Sequence, residues 1–412
     1  MSDICLVRQP TFGASGALLG YEIRFRESAE GGYSFAQSFV SGTFDAVRSK
    51  LPAFVPCSRL QLIEGTFMVA QAGSAVLLLS PDLVVDHEVV EAVGRYREAG
   101  GAIALDEIGS QPASSEALLP LAAWVRIDVR SENAAAIGEV CARTAAGLGA
   151  SRPKRMAIHV DELGQYEVTL TLGFDAFQGS FFSRPEPLPA ADMPQSTVAA
   201  MRLMGLARDQ KINDRQLEDV ISTDPVLTFQ LLRVVNSAAV GMRGVSSIGQ
   251  ALRLIGRTAF LRWLAVAVAA SRKSSTGVDQ ELVRQAVERG RLLEQLAGGP
   301  RDGGTLFLVG LFSLLDAVFR MPLPEILERV VLSDEANQAL LERTGPYADA
   351  INFAESYELG LFESAAELAK EMGVDEKKVG EFYANALTWT ADALGAALEA
   401  QPAKAAPARR AS

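Results

Sequence analysis

Five carboxylates stand where short apolar runs end: Glu22, Asp106, Glu107, Asp128 and Asp161. If those runs are strands of a (β/α) barrel, their C-terminal ends converge on the one face that carries active sites in such folds. Carboxylates gathered there supply the oxygen donors that Mg²⁺ or Mn²⁺ requires. Each has a plainer use as well, since an acid after a strand commonly caps the next helix, and spacing alone leaves both uses open. Other chemistry is sparsely supplied. His87 and His159 are the only histidines and read as structural groups. No Ser/His/Asp or Cys/His set can be drawn, and no glycine-rich phosphate loop occurs. Cys5, Cys57 and Cys141 are far apart without CxxC spacing, which predicts reduced thiols rather than a disulfide framework or zinc site.

The elements that must position these residues alternate in the first half. Val76 to Leu79, Ala102 to Leu105, Trp124 to Val129, Met156 to Val160 and Ala176 to Phe182 read as strands, with helix-compatible segments between the second, third and fourth. Asp86 to Glu98 places Val89, Val90, Val93 and Tyr96 at helical spacing and ends at Gly100-Gly101. This recurrence predicts an α/β, TIM-like barrel. A full barrel takes about 250 residues, so the span 1–185 predicts a shortened one. The proline-rich stretch 186–196 reads as a linker. From 197 to 397 the pattern is all-helical, with Asp224-Pro225 as an N-cap and first helical residue and Gly256 as a helix end. Phe307, Phe312, Leu315 and Phe319 form an apolar stripe suited to core packing. The Pro/Ala-rich tail 398–412 lacks core-forming side chains and reads as disordered.

Composition bounds the partners. The chain has 412 residues, 49% of them hydrophobic and 22% charged, which is enough to bury two cores. A formal net charge of −11 opposes binding to phosphate backbones, so nucleic acid is not expected as a partner. No basic region followed by an apolar stretch opens the chain. The most membrane-like run, Trp263 to Ala270, is far short of the roughly 20 residues a span needs. A cytoplasmic protein without membrane contact is the expectation.

Ordered motifs then sharpen the reading. RQPTF…LLGYEIRFRES resembles the opening of EAL-type cyclic-di-GMP phosphodiesterases, with Glu22 to Arg26 in the place of their Glu-Ala-Leu-x-Arg signature. ALDEIG is similar to their LDDFG, VRID to their VKID, and LGFDAFQGSFFSRP to their LGxDxxQGxxFxxP. The resemblance implies that Glu22, Asp106, Glu107, Asp128, Asp161 and Gln178 keep positions of a vestigial site, and that Arg26 could act as a phosphate fork. It also places Val69, Leu78 and Ile158 where the family has oxygen ligands, and Arg126 where it has a catalytic lysine. Two-metal hydrolysis needs those ligands, and a guanidinium is not tunable as a lysine is.

The segment from Val220 to Ala267 resembles the HDOD module through Asp224-Pro225, Asn236-Ser237-Ala238 and the Ala251 to Gly256 ending. That family is similar to HD-type phosphohydrolases without their ligands, and no histidine follows His159 here. Asn236, Ser237 and Asp224 read either as contacts to partners or as caps of neighbouring helices. Together the two resemblances imply a multi-domain EAL–HDOD signalling protein of bacterial type. The expectation is that it is no enzyme, holds no metal or cofactor, and works through contacts with other signalling proteins; homodimer formation stays open. A metal-independent cyclic-di-GMP receptor and a weak cyclic-di-GMP phosphodiesterase are the alternatives.

Overall fold

Eight short strands close into a barrel in the computed structural model, in the order β1-β2-β3-β4-β5-β6-β7-β8. The structure describes residues 6–26, 38–39, 42–70, 72–130, 133–146, 148–149, 152–183, 213–222, 228, 231–232, 235–236, 244–270, 276–297, 300–328, 330 and 332–399. The strands are β1 (Leu6–Gly13), β2 (Leu18–Phe25), β3 (Ala53–Cys57), β4 (Ala75–Leu79), β5 (Ala102–Ile108), β6 (Trp124–Asp128), β7 (Lys154–Ile158) and β8 (Ala176–Phe177). β1 runs antiparallel to both β2 and β8, and the other neighbours are parallel. The barrel therefore opens with a hairpin, and its mouth lies at the start of β1 and the ends of the rest.

Outer helices are α1 (Thr43–Arg48), α2 (Arg59–Glu64), α3 (His87–Glu98), α4 (Ala134–Ala145) and α5 (Leu163–Thr171), while a 3-10 helix, Ser114–Leu121, joins β5 to β6. In α3 the Asp86 carboxylate accepts from the Val89 N–H, the N-cap that an acid before an amphipathic run supplies. Val89, Ala92, Val93 and Tyr96 are its buried face; Val90, although in period, stays exposed.

The last expected strand is mostly not one. Only Ala176 and Phe177 pair as β8, and the chain then crosses over Val160: a Cβ on Gly179 would stand 2.0 Å from the Val160 carbonyl oxygen, so only glycine permits the approach. That crossing fixes Gln178, whose carbonyl accepts from the Val160 N–H at 3.0 Å. The barrel interior is filled by Phe54, Val76, Leu78, Ala104, Met156, Ile158 and Ala176. It is a packed core, as small barrels of this kind require.

By internal contacts the chain forms two compact units. The first holds residues 1–185 together with 274–282 and 352–385; the second holds 186–273, 283–351 and 386–412. The sequence places the barrel's end at 185, and the first unit draws two further segments from beyond it.

The helices of the second half are α6 (Asp214–Ser222), α7 (Ile248–Ala270), α8 (Gly277–Leu296), α9 (Pro300–Phe312), α10 (Leu315–Phe319), α11 (Leu323–Leu327), α12 (Asp334–Glu342), α13 (Ala348–Glu358), α14 (Phe362–Glu371) and α15 (Glu376–Glu399). Gly256 breaks α7 with φ 77° and ψ 163°, a backbone region open almost only to glycine. The core of the second unit includes Phe307, Phe312, Leu315 and Phe319, all buried. Trp263 and Trp389 meet at 4.7 Å, with Arg291 over the Trp389 ring and paired to Glu294 at 2.7 Å. The linker 186–196 and tail from 400 lie outside the described residues, and no described helix is long and apolar enough to cross a membrane.

Candidate functional site

β1 and β2 pair so that Gln9 opposes Glu22 and Val7 opposes Arg24, placing all four side chains on the inner face near the mouth. There Glu22 accepts from the Gln178 Nε2 at 2.6 Å, from the Arg24 Nε at 2.5 Å and from the Arg126 guanidinium. Arg126 also donates to the Gln178 Oε1 at 3.0 Å and lies 2.7 Å from an Asp106 oxygen. Gln178 in turn donates to Gln9 at 3.1 Å. Glu22 and Arg126 are 2% and 1% exposed, so this is a buried ion pair rather than a surface one.

One guanidinium serves two carboxylates unequally. Burial pushes the Glu22 carboxyl up, but Arg126, Arg24 and the Gln178 amide overcome it and hold it at about 2. For Asp106 burial prevails, aided by the negative charges of Glu22 and Glu107 and opposed by Arg126, and its carboxyl rises to about 6.

The remaining strand ends are apolar. Leu78 and Ile158 are each 2% exposed and belong to the interior cluster. The third position implied by the resemblance needs correction: Val69 lies in a 3-10 helix after α2, 51% exposed, and on no strand. The inner-face residue level with Leu78 on β3 is Pro56, because Pro56 and Leu78 are register partners. Proline has a carbonyl but no side-chain donor, so the outcome for coordination is the same.

The other expected residues are committed locally. Asp128 accepts from Arg130 through both oxygens, Oδ1 at 3.2 Å and Oδ2 at 2.6 Å, Asp161 accepts from the Ser180 N–H at 2.9 Å and its hydroxyl at 2.7 Å, and Arg26 pairs with Glu376. Glu107 is exposed, with its backbone in the left-handed region and its N–H donating to Asp106 at 3.0 Å. A divalent metal pair does not fit this donor set: Glu22 is saturated by cations and amides, and three positions are hydrocarbon. Among the described residues no three His, Cys, Asp or Glu side chains gather as a metal would need.

Sequence reasoning did not single out Gln9, Arg24 or Arg130. Arg24 had a readable signal, since residues two apart on a strand share a face; Gln9 had none without the hairpin register. In the second unit Asn236 donates to the Leu232 and Val245 carbonyls at 2.7 and 2.8 Å and accepts from the Val245 N–H at 2.9 Å, fastening two chain segments. Asp224, Pro225 and Ser237 lie outside the described residues.

Comparison with known proteins bears on both halves. The HDOD domain model matches residues 193–344. The cyclic di-GMP phosphodiesterase CdgJ of Vibrio cholerae serotype O1 is 25% identical over 407 residues, covering 94% of this chain and 92% of that protein. YuxH of Bacillus subtilis, an uncharacterized protein, is 24% identical over 405 residues, covering 94% and 98%. Among solved structures, the PaMucR phosphodiesterase in complex with c-di-GMP aligns with a TM-score of 0.35 and 19% identity, covering 45% of this chain and 97% of that one.

The expectation that the chain is no enzyme is overturned by the relative named a phosphodiesterase, which matches it nearly end to end. Glu22, Asp106 and Asp128 remain on β2, β5 and β6 and Asp161 follows β7, so the mouth keeps four carboxylates even though each is held by a partner within the chain. The chain carries an HDOD domain behind a closed eight-stranded barrel, and this order of parts fits the EAL–HDOD architecture.

Proposed function

We propose that this chain acts in cyclic-di-GMP signalling and that the mouth of its barrel engages the cyclic dinucleotide. The observation that supports this best is the cationic rim: Arg24 near the end of β2, itself paired to Glu22, and Arg26 just beyond the strand flank the Glu22–Arg126–Gln178 network. A cyclic dinucleotide presents two phosphates, and guanidinium forks are suited to phosphate oxygens. Arg126 does not take this role directly, since it is spent on Glu22 and Asp106. Its task is to keep Glu22 ionised and in place, which in turn holds Arg24 at the rim.

Hydrolysis of the same ligand is the second reading, favoured by the full-length similarity to a protein named a cyclic di-GMP phosphodiesterase. One experiment tests both: calorimetric titration with cyclic di-GMP, with and without Mg²⁺ or Mn²⁺, followed by chromatography for linear product. Saturable binding weakened at least tenfold by Arg24→Ala supports the rim as the site. Linear product that requires the wild-type mouth supports the second reading. Neither binding nor product would sink both.

A further inference from the structure

A chain segment from far along the sequence reaches the rim within the first unit. The Gln9 Nε2 donates to the Glu358 carbonyl at 3.2 Å, and a Cβ on Gly360 would stand 3.5 Å from the Arg24 Cδ and 3.6 Å from the Val7 Cγ1. Val7, Gln9 and Arg24 are the inner-face residues of the hairpin at the mouth. The next residue outward, Arg26, is paired with Glu376 at the start of α15. The turn after α13 and the first turn of α15 thus lie on the same residues that face an incoming ligand.

This placement is anchored. The Tyr357 hydroxyl donates to the Leu6 carbonyl at 3.0 Å, the Arg8 N–H donates to the Tyr383 hydroxyl at 3.4 Å, and the two tyrosine rings pack 5.2 Å apart. Both tyrosines are buried. By contrast Leu359 and Leu361, on either side of Gly360, are about half exposed, and so are Arg26 and Glu376 in part. A fixed base carrying a weakly held tip has the build of a cap that opens locally.

Resting on the reading of the mouth as a cyclic-dinucleotide site, we propose that the 358–361 turn and Glu376 form an internal cap that competes with the ligand's phosphates for the arginine rim. Glu376 gives Arg26 an anion of its own, and the turn covers Arg24 and Gln9. Ligand entry exchanges one carboxylate–guanidinium contact for a phosphate–guanidinium contact and lifts the turn. Regulation of the site then follows from anything that pulls α13–α15 away from β1.

The test uses the full chain in three forms: wild type, Glu376→Gln, and Glu139→Gln as a control for charge removed from an exposed position on α4. Arg26 modification by phenylglyoxal, read by mass spectrometry without ligand, should be about two- to five-fold faster in Glu376→Gln only, the range an exposed ion pair allows. Cyclic-di-GMP affinity should tighten by a similar factor in that variant only. In the wild type, ligand should speed hydrogen exchange at the Gly360 and Leu361 amides, which are bonded to the Tyr357 and Ser356 carbonyls at 2.9 Å each. Binding by wild type with neither labelling nor affinity changed in Glu376→Gln overturns the cap and leaves the site reading standing. No binding by any of the three overturns the site reading, and the cap with it.

Discussion

The strand ends of one barrel mouth divide into two chemically opposite sets. β1, β2, β5, β6 and β8 contribute Gln9, Glu22, Asp106, Arg126 and Gln178, joined by ion pairs and amide hydrogen bonds. β3, β4 and β7 contribute Pro56, Leu78 and Ile158, which offer no side-chain oxygen. The two sets answer to each other. Carboxylates facing one another out of water need a cation, and with hydrocarbon at three ends the cation present is a guanidinium on the barrel's own strand. The charged set is therefore self-contained, and Arg24 and Arg26, each about one third exposed, are the arginines that reach solvent at its rim.

If the charged set is a coupled unit, Glu22→Gln has the largest effect. It leaves the buried Arg126 with only Asp106 and Gln178, and removing one partner of a buried pair costs about 3–5 kcal/mol. Urea unfolding should show the low end, since Asp106 still faces Arg126; a loss under about 1 kcal/mol would mean that the network is not coupled. The apolar set is tested by Leu78→Ala against Val69→Ala. The first opens a cavity in the interior and should cost about 2–4 kcal/mol. The second trims an exposed side chain and should change stability by about 0.5 kcal/mol or less. Equal losses would put Val69 back in the mouth.

These contrasts were unevenly legible in the sequence. The acids at strand ends, the Asp86 to Glu98 helix and the Gly256 break could be read because each rests on local chemistry: a charge after an apolar run, apolar residues at helical spacing, a conformation only glycine adopts. Pro56 was missed because a proline argues against a strand, although β3 keeps it one residue from its end. Gln9 could not be found, since the hairpin register that sets it against Glu22 is a pairing between strands. Residues 274–282 and 352–385 were read with the helical half, yet they belong to the barrel's unit. The Tyr21 hydroxyl donates to Glu281 at 2.9 Å across 260 residues, a contact that no periodicity announces.

The finest probe of the charged set is pH, because its two carboxyls are displaced in opposite directions. Asp106, at about 6 when folded, binds a proton more tightly than in the unfolded chain, so its burial costs stability above pH 6 and that cost is relieved as pH falls from about 6 towards 4. Glu22, at about 2, contributes stability that is fully present above its unfolded value near 4.5 and is lost as pH falls from there towards 2. His159, held low mainly by burial, works against the Asp106 trend below about pH 6.5, and Asp316, raised by burial, works with it. The difference between wild type and Asp106→Asn removes those shared contributions. Thermal unfolding from about pH 7 to 3 should show wild type gaining on the variant between about pH 7 and 4, with both then falling as Glu22 takes up its proton. Parallel curves across the upper window would show that Arg126 serves Asp106 as fully as it serves Glu22, and the unequal division of one guanidinium between two carboxylates would be refuted.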